Sequence, residues 1–449
     1  MKSSRSLLGG GVVMLASFAL IHSTEAQIAD PTLDVLVRKG VLTAEEAREA
    51  QARKAADSDI KVFWKEGLNF QSGDKKFKGK LGGRVQLDVA SFSEDDDIRA
   101  LPDAGGTTVG DIPAGVEFRR VRLALEGEYT ASLPSYYKVE IDFAGAGVAF
   151  KDVYLGVGAL PGIGSVQIGH FKEPIGLELL TSSRYLTFME RSLPIEAFAP
   201  ERNTGVLIGN HILGERMTWA LGGFTDVGDS GNGTIDSNVR VSGRVTGVPF
   251  HHEGGGRLLH LGVSGSYIDP NGAVRFRSRP EAHLAPRFVD TRVGTTDIPS
   301  DQAWLVGTEA AFICGPFSLQ AEYIRTWVDT IAGGTADFDG YYVYGSWFVT
   351  GEQRAYRRSN GAFDRIRPRR NLSLTDGGLG AWELAVRYSG LNLSEPGIPG
   401  GKLNDVTAGV NWYLNPNMKF QVNYVYAMAD RLGLDGKAHV VQTRVHVDF

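Results

Sequence analysis

The chain has 449 residues, 42% of them hydrophobic, with 47 Lys and Arg against 52 Asp and Glu and a formal net charge of −5. That balance excludes a strongly basic nucleic-acid binder, and a mean hydropathy of −0.13 excludes a bundle of membrane helices, which need ~20 consecutive apolar residues each. The single cysteine, Cys314, excludes an internal disulfide and a thiolate metal cluster and reads as a small wall residue.

In chain order, Lys2 and Arg5 precede an apolar run over residues 7–21, and Thr24-Glu25-Ala26 supplies small residues at a cleavage position. This pattern predicts a signal peptide over 1–26, with a mature chain starting at Gln27 and a net charge of −6. Residues 27–58 form a different segment. Leu33, Leu36, Val37 and Val41 recur at helical spacing, and Thr43 followed by Glu45 and Glu46 is a helix N-terminus signal. A short helical or coiled-coil element on the periplasmic side is expected there.

From Gly79 the hydrophobic period becomes two. Leu81, Val85, Leu87 and Val89 alternate with Arg84, Gln86 and Asp88; Val121, Leu123 and Leu125 alternate with Arg120, Arg122, Ala124 and Glu126. Late in the chain Phe420, Val422 and Tyr424 alternate with Lys419, Gln421 and Asn423. Such strands have one apolar and one polar face. The final strand ends on Phe449, with Arg444, His446 and Asp448 on its polar face. An apolar outside, a polar lumen and an aromatic at the interface are what an outer-membrane barrel requires. The 57 glycines suit its tight turns and close packing. The pattern therefore predicts an all-β fold: a transmembrane antiparallel β-barrel of about 16 strands of ~9 to 11 residues over residues 59–449. Tyr341, Tyr342, Trp347, Phe348, Trp412 and Tyr413 are expected in interfacial girdles.

Three connections, residues 170–200, 269–300 and 351–378, are too long for turns and are expected either outside the cell or folded into the lumen. The second carries Arg275, Arg277 and Arg279 at a period of two, which in an extended chain projects three guanidinium groups from one face roughly 7 Å apart. Such a row repels itself unless it binds oxyanions, which arginine grips bidentately. A series of weak sites of this kind is what conduction needs, although a basic loop touching lipopolysaccharide phosphates outside is the alternative. The third connection holds Arg354, Arg357, Arg358, Arg365, Arg367, Arg369 and Arg370, for which a surface and a lumen role are equally open. No His-Glu-x-x-His, Gly-x-Ser-x-Gly, Walker or dinucleotide motif occurs, so neither an enzyme nor a cofactor is indicated. His251-His252-Glu253 reads as a solvated turn and Glu94-Asp95-Asp96-Asp97 as a flexible acidic loop.

Several blocks resemble the phosphate-selective porin O and P family: Phe118-Arg119-Arg120-Val121-Arg122-Leu123, Tyr137-Lys138-Val139-Glu140-Ile141-Asp142, Lys151-Asp152-Val153-Tyr154-Leu155, Gly169-His170-Phe171-Lys172-Glu173-Pro174-Ile175-Gly176-Leu177-Glu178, and Phe188-Met189-Glu190-Arg191. The resemblance implies a homotrimer of barrels in the outer membrane, passing phosphate or related oxyanions through a constricted lumen. It also implies an arginine ladder, falling on Arg84, Arg119, Arg120, Arg275, Arg277 and Arg279, with Arg191 on an inward loop at the constriction. Lys75 and Lys138 would be exit lysines, and Lys151 falls at the central site. Two departures bear on the cargo. Phosphate-specific members carry a lysine where this chain has Leu179, and an acid where it has Lys151. Anion transport is therefore expected, phosphate or a related oxyanion foremost, with a general porin of weak anion preference as the alternative.

Overall fold

The computed structural model describes residues 30–449 except 104–106, 146, 229–230, 232, 234–237, 253–255, 293 and 295. The expected signal peptide lies outside the described residues, and so does Glu253 of the expected His-His-Glu turn. Residues 30–60 hold two helices, α1 (Pro31–Arg38) and α2 (Ala44–Ser58). The Thr43 Oγ1 accepts from Glu46 N–H at 3.2 Å, while the Glu46 carboxylate accepts from Thr43 N–H at 2.8 Å. This reciprocal cap fixes the start of α2 where the sequence placed it.

The remaining chain closes into a barrel of sixteen antiparallel strands. They are β1 (Phe77–Glu94), β2 (Gly115–Tyr129), β3 (Ser135–Asp142), β4 (Ala149–Leu160), β5 (Gly164–Lys172), β6 (Arg202–Ile212), β7 (Met217–Thr225) and β8 (Val239–His251). The second half comprises β9 (Arg257–Asp269), β10 (Ile298–Cys314), β11 (Phe317–Thr330), β12 (Thr335–Phe348), β13 (Ala381–Glu395), β14 (Ile398–Asn415), β15 (Met418–Arg431) and β16 (Leu434–Asp448). Each pairs with its neighbours in the chain, and β16 closes on β1 in a register running from Ala438↔Glu94 to Asp448↔Arg84. Beyond the last strand Phe449 N–H donates to Gly83 O at 3.0 Å and Gly83 N–H to Phe449 O at 2.8 Å. Closure matters because an open sheet edge cannot be satisfied in hydrocarbon.

The alternation sorts as the sequence requires. Val89, Leu123, Leu125, Phe420, Val422 and Tyr424 are exposed on the outer wall, whereas Arg84, Gln86, Asp88, Arg120, Gln421, Asn423, Arg444, His446 and Asp448 are buried inside. The same rule corrects the expected aromatic girdle. Tyr341 and Trp347 face out, but Tyr342, Phe348 and Tyr413 are buried in the lumen. Neighbours in a strand cannot share a face. The inward tyrosines donate to carboxylates, Tyr342 to Glu322 at 2.5 Å and Tyr413 to Glu383 at 2.8 Å.

Most connections at the end holding both barrel termini are short turns, which is the rule for a periplasmic end. Residues 349–380 are the exception. They join β12 to β13 at this end, opposite the other long connections at 95–114, 173–201 and 270–297, so the three long segments of the sequence do not form one set of outer loops. The acidic run at 94–97 is not a flexible loop either: Asp95 caps a short helix, Asp96–Ala100, whose Ile98 is fully buried.

The loops 95–114, 173–201 and 270–297 turn inward and fill part of the barrel. Ile98, Leu101, Ile175, Leu179, Phe188, Leu193, Phe198, Phe276 and Phe288 pack against Leu305, Ile324, Phe338, Leu391 and Leu403 of β10 to β14. Burying so many apolar side chains, at ~1.5 to 3 kcal/mol each, anchors the loops on one side and leaves the opposite side open.

Candidate functional site: a charged cavity along one wall

The open space is a cavity of about 1600 Å³ whose strand residues come from β1 to β8 alone. It runs from Gly145 and His283 near the outer end to Glu66, Leu160 and His211 near the terminus end. Fifteen Lys and Arg line it against nine Asp and Glu, a cationic surplus in a chain that is anionic as a whole.

Two irregularities in the wall place charges that strict alternation could not. Gln86 pairs with Arg120 and Leu87 with Phe118, which makes Arg119 an extra residue. Val139 pairs with Val153 and Ile141 with Phe150, which sets Lys151 and Asp152 opposite Glu140. Each is a β-bulge, which re-aims side chains locally. As a result the consecutive pairs Arg119–Arg120 and Lys151–Asp152 all reach the cavity.

Carboxylates meet most of these cations. Arg119 forks onto Glu190 with two 3.0 Å bonds, Arg444 reaches the same carboxylate at 2.7 Å, and Arg120 stands 3.9 Å away while donating to Gln86 at 2.8 Å. Burial acts to raise the Glu190 carboxyl, but Arg119, Arg120 and Arg444 outweigh it and hold the group well below the usual range. Arg84 donates to Glu140 at 2.7 Å and to Ser183 at 2.8 Å. Asp152 joins Lys138 and Arg202, each at 2.8 Å. Arg191, on the inward loop, is aimed by the backbone carbonyls of Glu178, Leu179 and Thr181 and lies 3.3 Å from Glu201.

Of the ten residues selected from sequence, Arg84, Arg119, Arg120, Arg191, Lys138 and Lys151 line this cavity together. Arg275, Arg277, Arg279 and Lys75 do not. The row of three arginines lies in loop 270–297 with its own acids: Arg275 pairs with Asp290 and stands 3.8 Å from Asp297, and Arg279 is 3.3 Å from Glu196. The side chain of Arg277 has no hydrogen-bond or ion-pair partner among the described residues, and burial lowers its basicity. Lys75 sits exposed in a turn with φ 59°. From the second arginine run Arg357, Arg365 and Arg367 line the cavity, and Arg365 binds Asp448 at 2.5 Å. Sequence reading missed Lys172, Arg184, Glu190, Glu201 and Arg202. These sit in or beside an irregular loop, where no period marks which residues face inward.

A closed sixteen-stranded barrel with inward loops and a polar cavity reaching both ends is an outer-membrane porin. The sequence profile of the family described as phosphate-selective porin O and P matches residues 80–449, and the chain belongs to that family. Among curated relatives, an uncharacterized protein of Caulobacter vibrioides is 30% identical over 418 residues, covering 88% of this chain and 78% of its own length. Porin O of Pseudomonas aeruginosa is 28% identical over 414 residues, covering 84% and 88%. The fold is shared with an anion-selective porin from Comamonas acidovorans (TM-score 0.50, 14% identity, 82% and 99% covered). It is shared too with the trimer form of OmpT, an outer membrane protein of Vibrio cholerae (TM-score 0.53, 12% identity, 83% and 99% covered).

Proposed function

We propose that the chain is a passive channel for anions of the phosphate-like oxyanion class, with its path along the β1 to β8 wall. The observation that carries this is the sign of the cavity: fifteen Lys and Arg against nine Asp and Glu, within a chain of 47 against 52. Arg84, Arg119, Arg120, Arg191, Lys138 and Lys151 supply successive donors along the wall, so an anion exchanges one partner for the next. Arg275, Arg277 and Arg279 act earlier, gathering anions from the outer end, and Lys75 acts beyond the exit. Charged side chains around the outer loops meet lipopolysaccharide phosphates. A homotrimer is the assembly proposed; the trimer form of the Vibrio cholerae protein of the same fold supports it.

One observation favours a general porin with weak anion preference: Glu140, Asp152 and Glu190 already neutralise several of the lining cations. Planar-bilayer recording separates the two. The oxyanion reading expects a reversal potential close to the anion limit in a KCl gradient and block of chloride current by millimolar phosphate, relieved in Arg191→Ala. A cation-selective or unselective wild type refutes the anion channel, and selectivity without phosphate block leaves the general porin.

A further inference from the structure

Among the carboxylates that meet the cavity cations, three are held very differently. The Glu190 side chain is 14% exposed and pinned by Arg119 and Arg444. Asp152 is 18% exposed and fixed by Lys138 and Arg202, both at 2.8 Å. The Glu201 side chain is 57% exposed and, among the described residues, its one hydrogen-bond or ion-pair partner is Arg191 at 3.3 Å. Yet Glu201 stands where cations converge. Lys172 and Arg191 share the Leu179 and Thr181 carbonyls, and Lys172 faces Arg202 across the β5–β6 ladder. Although the Glu201 side chain opens onto the cavity, enclosure by the barrel around it acts to raise its carboxyl, and Arg191, Arg202, Lys172 and Arg120 outweigh that and drive it down.

Those cations do not depend on Glu201 for their positions. Arg191 is fixed by three backbone carbonyls, Lys172 Nζ donates to Leu179 O at 2.5 Å, and Arg202 is held by Asp152. Removing the Glu201 carboxylate therefore leaves a formed site with free donors, and such preorganised donors bind an oxyanion without a reorganisation cost. Glu201 is also the last residue of the inward loop before β6, and its side chain opens onto the cavity rather than packing into the wall. We propose that Glu201 is a tethered stand-in for the transported anion. It occupies a tetrahedral-oxyanion site made by Arg191, Arg202 and Lys172, and gives way when an oxyanion arrives. This rests on the anion-channel reading and adds a device to it: a built-in competitor weakens binding at the deepest site, so cargo is released as well as admitted.

The test is inorganic phosphate titrated into KCl during bilayer recording of wild type, Glu201→Gln and Glu201→Asp. Glu201→Gln keeps the shape and removes the competing charge, so its half-blocking phosphate concentration is expected to fall about tenfold, as for loss of one like charge a few ångströms away under partial screening. Glu201→Asp, one methylene shorter, is expected to shift it in the same direction by less, and serves if the glutamine variant fails to insert. An unchanged or higher half-blocking concentration in either variant overturns the proposal. The wild-type reversal potential keeps the two ideas apart. An anion-selective wild type with unmoved variants removes only the Glu201 device, and an unselective wild type removes the channel reading beneath it.

Discussion

Arg387 is the strongest single test of how the lumen is filled. It is fully buried on β13 and holds Glu281 of loop 270–297 at 2.5 Å, Glu178 of loop 173–201 at 3.1 Å and Glu190 O at 3.1 Å. Its guanidinium also lies 4.4 Å from the Phe188 ring centroid. Replacing it with alanine strands two buried carboxylates, and breaking one buried pair in this way costs about 3 to 5 kcal/mol. The lower end applies, because burial already lifts the Glu281 carboxyl above its usual range and it can neutralise by taking a proton. Loop 173–201 keeps other anchors, Glu190 on Arg444 and the Leu177 and Glu178 N–H groups on Glu322. Loop 270–297 keeps Thr407 and Gln442 on Glu281, His283 on Glu117 at 2.8 Å, Arg431 on Asp290 O at 3.0 Å and its buried Phe276 and Phe288, but among the described residues no other buried ion pair to the β13 wall. A loss of about 3 kcal/mol shifts its docking equilibrium roughly a hundredfold towards the open position. Arg387→Ala is therefore expected to show larger and noisier single-channel conductance, with new protease cleavage within 270–297 and intact heat-modifiable migration of the barrel. Unchanged conductance together with undiminished protection of that loop would show that the ion pairs do not hold it.

The seam makes a separate prediction. A Cβ at Gly83 would stand 2.6 Å from Arg122 O and 2.7 Å from the Phe449 ring, so Gly83→Val is expected to prevent closure and remove the heat-modifiable folded band; normal migration would refute this. The pH response follows from Glu190, whose folded carboxyl titrates well below its ordinary value of 4.5. Its contribution to loop docking is then fully present above about 4.5 and is lost only as pH falls through the lower, folded value. The Glu190 contribution should stay flat from pH 8 to about 5, so the difference in conductance between wild type and Glu190→Gln should be the same at every pH in that range; a difference that titrates with a midpoint between pH 5 and 7 would contradict it.

The parts of this molecule legible in its sequence are those governed by a period. The last strand sorted Arg444, His446 and Asp448 inward because nothing interrupts its alternation, and Thr43 capped α2 because capping is local chemistry. Where registry breaks, sequence reading lost its hold. The doublets Arg119–Arg120 and Lys151–Asp152 each look like one inward and one outward residue until the bulges appear. The three arginines at 275, 277 and 279 did lie on one face, between buried Phe276, Ser278 and Pro280. The partners of Arg275 and Arg279, namely Asp290, Asp297 and Glu196, come from other positions in the inward loops, so most of the row's repulsion is met without a ligand. The side on which residues 349–380 emerge depends on how many strands precede them, and a total of about 16 read from the period did not fix that number.

Both inward segments nearest the cavity are latched to the final strand. Arg444 holds Met189 O and Glu190 of loop 173–201 while gripping Asp88 across the seam, and Asp448 holds Arg365 of the segment 349–380. The Arg444 latch, which joins β16 to β1 and to a loop that leaves β5, comes into position only when β16 meets β1, which makes the order of assembly part of the design. A sheet that has not yet zipped shut has no organised interior to leak through, and the last residues of the chain complete the wall and its contents in one event. A chain clipped before Arg444 loses its passageway along with its closure.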